Sequence, residues 1–499
     1  MSAPVPQPAG VPASAWAALR DPSLVREAGY VGGDWLESSA RFEVRNPATG
    51  ALLANVSDLS ARETERAIRA AAGAQPAWAA RTAKDRAAVL RRWFELIIAA
   101  QDDLAAIMTS EQGKPLAEAR GEVTYGAAFI EWFAEEAKRV YGEVIPTPVA
   151  GRRLLALRQP VGVVAAITPW NFPSAMLTRK AGPALAAGCT FVVKPAHETP
   201  LSALALAVLA ERAGIPAGVF NVIPTTHASE VGKVLTESPT VRKFSFTGST
   251  AVGKLLMAQC ATTVKRVSLE LGGNAPFIVF EDADIVAAVA GAVASRYRNA
   301  GQTCVCANRF LVQSGVVTEF TSRLAAAVAA LPVGDGMTPG VVQGPLITER
   351  AVQKVERLVS DATAQGARVV CGGARHALGG TFFQPTVLSG VTTAMAITQE
   401  EIFGPVSTVI EFATEADAVR IANDTPFGLA AYAYTRDLAR AWRVAESLEY
   451  GMVGINEGVI STEVAPFGGV KESGVGREGA RQGIEEYLEI KYVAMGGLT

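Results

Sequence analysis

A thiol, a carboxylate and an amide stand in three short segments of this chain, each in a setting suited to carbonyl chemistry. Cys304 lies in Tyr297-Arg298-Asn299-Ala300-Gly301-Gln302-Thr303-Cys304-Val305-Cys306, Glu270 in Leu269-Glu270-Leu271-Gly272-Gly273-Asn274, and Asn171 in Pro169-Trp170-Asn171-Phe172-Pro173. A thiol can attack an aldehyde or ester carbonyl, a carboxylate can activate water, and an amide N–H can hold the oxyanion. Each residue also has a plainer reading. A lone Cys is more often a small buried hydrophobe, so on the residues alone the two readings of Cys304 stand even. Glu270, ending an apolar strand, either caps a neighbouring helix or faces a cleft, where desolvation would lift it towards a general base's range. Asn is usually a turn former, but the prolines and aromatics around Asn171 suggest a side chain fixed in an apolar pocket. Cys306 would point away from Cys304 in an extended segment. A disulfide across so short a loop would be strained, so two free thiols are expected.

The elements that must position these groups follow from hydrophobic periodicity. From Val161 onward, short apolar runs alternate with helical segments. Strands are expected at Val161–Ile167, Phe191–Val193, Val219–Ile223, Lys243–Phe246 and Arg266–Leu271. Helices are expected between them at Ala175–Ala187, Leu201–Ala213, Ala228–Leu235 and Ala251–Cys260. That alternation predicts a doubly wound, Rossmann-type parallel sheet whose ligands lie beyond the carboxyl ends of its strands. Asn171, Lys194, Gly248 and Gly272 all fall there. The turn Phe246-Thr247-Gly248-Ser249-Thr250-Ala251-Val252-Gly253 could offer helix N-terminal N–H groups to a pyrophosphate, although it is not the G-x-G-x-x-G fingerprint.

A second α/β alternation follows, with strands expected at Phe277–Phe280, Phe310–Gln313, Arg368–Val370, Val406–Glu411, Leu429–Tyr434 and Met452–Ile455. Gly272-Gly273 is a plausible hinge between the two. The first third reads as beginning with helices. Ser60 and Glu63 form a capping box, and Leu90, Trp93, Phe94, Ile97 and Ile98 make an amphipathic stripe that reads as core packing.

At 499 residues the chain is too long for one core. A formal charge of −2, with no Lys/Arg run, argues against a nucleic-acid partner. No apolar stretch reaches the ~18–20 residues of a membrane span. Five scattered cysteines fit a reducing compartment, and the Ala/Pro-rich start has no basic residue before Arg20, so the expected location is the cytoplasm. Three histidines without ligand spacing argue against a metal.

Seven motifs occur in order: Pro-Trp-Asn-Phe-Pro (169–173), Lys194-Pro195, Phe-Thr-Gly-Ser-Thr (246–250), Leu-Glu-Leu-Gly-Gly (269–273), Gly-Gln-Thr-Cys (301–304), Glu-Glu-Ile-Phe-Gly-Pro (400–405) and Pro-Phe-Gly-Gly (466–469). Together they resemble the NAD(P)-dependent aldehyde dehydrogenase superfamily over the chain from about Tyr30. Thr178–Pro183, Arg298–Cys306 and Glu463–Gly468 look most like its succinate-semialdehyde dehydrogenase branch.

The resemblance implies the following. Cys304 forms a thiohemiacetal with the aldehyde, and the Asn171 amide and Cys304 N–H hold its oxyanion. Hydride leaves for the nicotinamide, and Glu270 activates water against the remaining thioester, with Lys180 and Glu478 assisting the proton. Lys194 and Glu401 hold ribose hydroxyls, and Phe403 positions the nicotinamide. Ser249 and Gly248 meet the pyrophosphate, and Thr168, Trp170 and Leu271 line the cleft. Arg179 and Arg298, with Ser461, grip the distal carboxylate of succinate semialdehyde. The plainer reading of Arg179 is a solvated helix face. Glutarate semialdehyde and sulfolactaldehyde would fit the same clamp.

His197 takes the place where NAD-preferring relatives often carry Glu, which favours NADP, with NAD or dual use as alternatives. The resemblance also implies a cofactor-binding domain at 20–140 and 160–272, a catalytic domain at 273–465, and oligomerisation segments at 141–159 and 480–499 that would build a homodimer or homotetramer. Residues 1–19 would be a disordered lead-in. A Cys-dependent thioesterase or acyltransferase, a CoA-acylating variant and a non-catalytic relative are the rival readings.

Overall fold

The computed structural model describes residues 16–498. Its first sheet runs Gly474–Val475, Arg266–Glu270, Val241–Thr247, Val163–Ile167, Thr190–Lys194, Phe220–Val222, Gly29–Val31, Asp34–Leu36 across its width. The middle five strands are parallel, and the outer ones are antiparallel additions. Alternation along these strands divides two cores. Val164 and Ala166 pack against the helices Ala83–Ala99, Leu116–Glu136, Ala175–Ala187 and Pro200–Arg212, while Val163 and Ala165 pack against Ala61–Ala79, Ala228–Glu237 and Thr250–Ala261. Helices on both faces make the sheet doubly wound, as expected.

The second sheet runs Arg368–Cys371, Thr386–Ser389, Val406–Phe412, Ala307–Gln313, Ala275–Val279, Ala430–Tyr434, Met452–Ile455. It is parallel except for Arg368–Cys371. Thr386–Ser389 has no counterpart among the expected strands, since four residues between loops carry too little periodicity to show. A third, antiparallel sheet joins Glu143–Ile145, Arg153–Pro160 and Leu488–Met495, the last two paired along all eight residues.

The expectation that the first third begins with helices is wrong. Gly29–Val31 and Asp34–Leu36 extend the first sheet, and Arg41–Arg45 pairs with Leu52–Ser57 in a hairpin, all before the first long helix. Strands of three residues hold barely one alternation, so pattern cannot find them. The capping box is present, with Ser60 N donating to Glu63 at 3.0 Å. Leu90, Trp93 and Ile97 are buried, Phe94 packs half-buried against the same core, and Trp93 donates to Leu206 O at 3.2 Å, so the stripe is core except for Ile98, which is exposed. Of the expected lead-in, residues 1–15 lie outside the described residues; Trp16 and Leu19 pack on the first core.

Candidate active site

The loops beyond the carboxyl ends of the first sheet meet a loop of the second. Thr168–Pro173 follows Val163–Ile167 and feeds the helix Ala175–Ala187, where Arg179 and Lys180 sit in the second turn. The Cys304 loop is set by its preceding turn. Asn299, Ala300 and Gly301 adopt φ of 51°, 52° and 75° in succession, a left-handed run that costs non-glycine residues energy. A Cβ at Gly301 would stand 2.2 Å from Gly404 O, so that position admits no side chain.

Amides lock the two loops together. Asn171 Nδ2 donates to Gln302 O at 3.0 Å, and Asn299 Nδ2 donates to Asn171 O at 2.9 Å. Gln112 Nε2 donates to Asn299 Oδ1 at 3.0 Å. Asn171 is buried with Oδ1 unpaired, so it is no surface turn former. Its second amide hydrogen stays free beside the Cys304 loop.

Cys304 lines a cavity of about 300 Å³ together with Arg179, Arg298, Ser461 and Phe467. All five cysteines are free thiols. Cys306 turns the other way, its Sγ 3.7 Å from Arg296 O in the core, although a tight turn rather than an extended segment separates the pair. Burial, with the Glu401 charge, pushes the Cys304 thiol up to about 12. It is therefore neutral until a base takes its proton.

Glu270 is buried, with neither carboxylate oxygen hydrogen-bonded. Burial first, then the Glu478 charge, hold its carboxyl well above the ordinary carboxylate range. Glu478 is the opposite case. Burial raises it, but Lys180 and Arg179 more than offset that and keep it ionised. Lys180 Nζ contacts Glu478 Oε1, and Arg179 Nε lies 2.6 Å from Oε2. The two carboxyls are thus pushed apart, one raised so that it can take up and give back a proton and one fixed as an anion.

Arg179 is fully buried, stacked 4.0 Å over the Phe467 ring, with Nη2 unpaired; the solvated-face reading fails. Arg298 lies 5.5 Å from the Phe172 ring centroid and has no ion pair or hydrogen bond among the described residues. Ser461 is half-buried on the same cavity.

The expected cofactor groups gather at the strand ends. Lys194 is buried and donates only to Pro195 O, at 3.1 Å. Thr168 is buried with Oγ1 unpaired. Gly248 N donates to Glu270 O at 3.1 Å, and Leu271 N to Ser473 O at 2.9 Å. Ser249 is the exposed N-cap of Thr250–Ala261 and its side chain caps nothing, which leaves that helix's first N–H groups open. Trp170 and Phe403 meet edge to face at 5.5 Å, and Phe403 is held at φ 57°. Glu401 accepts from Gly273 N at 3.2 Å, and burial pushes its carboxyl up to about 7. His197 is the outlier. Its side chain is 50 % exposed and faces Glu198 at 3.4 Å, outside the cavity.

Sequence reading missed the support beneath the site. Lys114 and Glu122 form a fully buried ion pair. Lys114 Nζ also donates to Asn171 O at 2.7 Å, while Glu122 Oε1 accepts from Ser174 N at 3.0 Å and Ala175 N at 3.2 Å, capping the helix of Arg179 and Lys180. The signal available was Glu118 and Glu122 four apart on one helix face after Lys114-Pro115. Among the described residues no group of His, Cys, Asp and Glu could hold a metal, and no helix is long and apolar enough to cross a membrane.

The model of the aldehyde dehydrogenase family matches residues 35–493. The glutarate-semialdehyde dehydrogenase of Pseudomonas aeruginosa is 61% identical, over 96% of this chain and 100% of its own length. The 3-sulfolactaldehyde dehydrogenase of Pseudomonas putida is 59% identical, over 96% and 99%. The solved succinate-semialdehyde dehydrogenase of Burkholderia pseudomallei superimposes with a TM-score of 0.95 at 60% identity, over 96% of this chain and 100% of that one.

Proposed function

Because the chain belongs to the aldehyde dehydrogenase family, we propose that it oxidises a short aldehyde with an anionic far end, succinate semialdehyde first, to the corresponding acid. The observation that carries this reading is the placing of Arg179, Arg298 and Ser461 on the same cavity as Cys304. Two guanidiniums, one of them without a protein partner, suit a carboxylate held at a fixed distance from the thiol.

Cys304 loses its proton to Glu270 and its sulfur adds to the aldehyde carbon. The free Asn171 amide hydrogen and the Cys304 N–H hold the oxyanion. NADP or NAD, when bound, supplies the hydride acceptor. The residues fit such a group: the open N–H groups at Ser249 suit a pyrophosphate, Lys194 has spare donors for a ribose, and Trp170 and Phe403 bound a flat ring's cleft. Once that first proton has left it, Glu270, raised and unpaired, takes a proton from the water that attacks the thioester. His197 stands exposed at the surface, open to a 2′-phosphate, which favours NADP over NAD.

Glutarate semialdehyde and sulfolactaldehyde remain rivals, since relatives named for them match as well as the succinate enzyme does. One methylene alters discrimination by only ~1–3 kcal/mol. The exposed Val144, Ile490 and Tyr492 lie on the third sheet's two outer strands, whose edges suit pairing with further copies as a homodimer or homotetramer. Free cysteines fit the cytoplasm. The test is initial-rate reduction of NAD and NADP with the three anionic aldehydes and a neutral one of similar size. Comparable kcat/KM on the neutral aldehyde would discard the anionic substrate and leave the dehydrogenase.

A further inference from the structure

The first sheet carries a polar row where it should be apolar. Strand Val241–Thr247 turns Phe244 and Phe246 into one core and Lys243, Ser245 and Thr247 to the other face. Its parallel neighbour matches it in register, with Arg266 beside Lys243, Ser268 beside Ser245 and Glu270 beside Thr247. Of the six, only Arg266 is not buried. Removing five polar side chains from water costs free energy that Val or Ala would not, so packing alone does not account for the row.

The row is continuous with the site at one end and with solvent at the other. Glu270, Thr247 Oγ1 and Glu478 Oε2 are buried and lack hydrogen-bond partners. Glu478 is held by Lys180, whose Nζ donates to Ser245 Oγ at 3.1 Å, and Ser245 stands in register beside Ser268 on the next strand. Lys243 Nζ stands 4.9 Å from the Tyr487 ring centroid, donates to Ser268 Oγ, and lies 3.4 Å from Glu486 Oε2, a side chain 26% exposed. The step from Ser245 to Ser268, the partner of Lys243, crosses two neighbouring strands, a span that one water can bridge.

We propose that this row is the exit through which the proton taken by Glu270 during thioester hydrolysis reaches solvent, with Lys243 as its outer carrier. The proposal rests on the hydrolytic dehydrogenase reading above. The atoms balance. Water's O–H bond breaks as its oxygen attacks the thioester carbonyl, its proton passes to Glu270, and the C–S bond breaks to leave the Cys304 thiolate. The new acid's own proton restores the thiol, so the protons in excess are the two that Glu270 takes in turn, Cys304's before hydride transfer and water's during hydrolysis. Each passes by Glu478 and Lys180 into the row and leaves at Glu486, the first before the second is taken. Lys243 acts through Lys180 and never meets substrate, so it is a positioning residue.

Lys243 is faced by Glu486 and Tyr487 from the tail, Arg266 from the next strand, Lys180 from its helix, Glu478 and Cys189. Burial holds its ammonium down to about 8 against the pull of Glu486, a value at which it can both accept and give a proton near neutrality.

The test mixes the full chain with NADP and succinate semialdehyde in weak buffer containing a pH-indicator dye, followed by stopped flow. In Lys243→Met the first-turnover burst of cofactor reduction stays at the unaltered rate. Proton release after it slows by ~10-fold or more, and added imidazole restores it. Unchanged release overturns the exit; so does a joint fall of burst and release without imidazole rescue, which marks a structural role. If Lys243→Met does not fold, Glu486→Gln at the surface gives the same pattern with a smaller loss, and no change there overturns the proposal. No cofactor reduction at all by the unaltered enzyme sinks the dehydrogenase reading and the exit with it, whereas normal reduction with unchanged release in the variant sinks the exit alone.

Discussion

Replacing Arg298 by Met removes a charge while keeping a side chain of similar length. Among the described residues Arg298 has no hydrogen bond or ion pair, so a substrate carboxylate would be its partner, and its removal breaks no salt bridge; Glu118, which its charge also favours, keeps Lys114 beside it. A charge-assisted hydrogen bond contributes ~1.5–3 kcal/mol. Because Arg298 is only half-buried, solvent screening places it in the lower part of that range. About 2 kcal/mol corresponds to ~30-fold in kcat/KM. The expected result is that loss on succinate semialdehyde, carried mostly by KM, with less than about 2-fold on a neutral aldehyde of equal size. Arg179→Met behaves differently. It leaves the buried Glu478 with one cation instead of two, so both aldehydes suffer and thermal stability falls, by ~3 kcal/mol if the pair is broken outright. If Arg298→Met lowers kcat/KM equally for charged and neutral aldehydes, the clamp reasoning is refuted.

Other outcomes follow from the same geometry. Cys304→Ala abolishes aldehyde oxidation while cofactor still quenches tryptophan fluorescence; surviving oxidation would move the nucleophile elsewhere. The carboxyl of Glu270 is raised and must be ionised to act, so the hydrolysis-limited rate climbs with pH above the ordinary carboxylate range. Glu270→Gln flattens that climb, and an unaltered profile would assign the base to another group. Gly301→Ala drives a Cβ against Gly404 O at a positive φ, costing about 3 kcal/mol, read as a lowered denaturation midpoint together with lost activity. Glu122→Ala uncaps Ala175–Ala187 and strands the buried Lys114 ammonium, for ~3–5 kcal/mol; a stable, fully active variant would dismiss the pair as support.

Much of this architecture was legible because buried parallel strands are apolar runs between helices. Val163–Ile167 and Ala430–Tyr434 stand out for that reason, and Ala175–Ala187 has the bounds that its pattern gives. The three-residue strands Gly29–Val31 and Asp34–Leu36 did not show, because each is too short to alternate, and the first joins the sheet only through Val222, nearly two hundred residues away. The nucleophile, base and amide declared themselves through local motifs. Lys114, Gln112 and Asn299 did not, since their meaning comes from meeting Asn171 across the fold. Arg179 illustrates the limit. On a helix its default is solvent, and only the packing of Phe467 and Glu478 over it makes it part of a cavity.

The bond from Asn171 Nδ2 to Gln302 O joins a loop of the first sheet to a loop of the second. A hydrogen bond of 3.0 Å is lost if its partners part by about an ångström, and catalysis is sensitive to misplacement on that same scale. Activity is therefore a more sensitive gauge of the seam between the two halves than any spectroscopic signal of secondary structure. On warming, or in mild urea, the enzyme should fall silent while its helices and sheets are still intact.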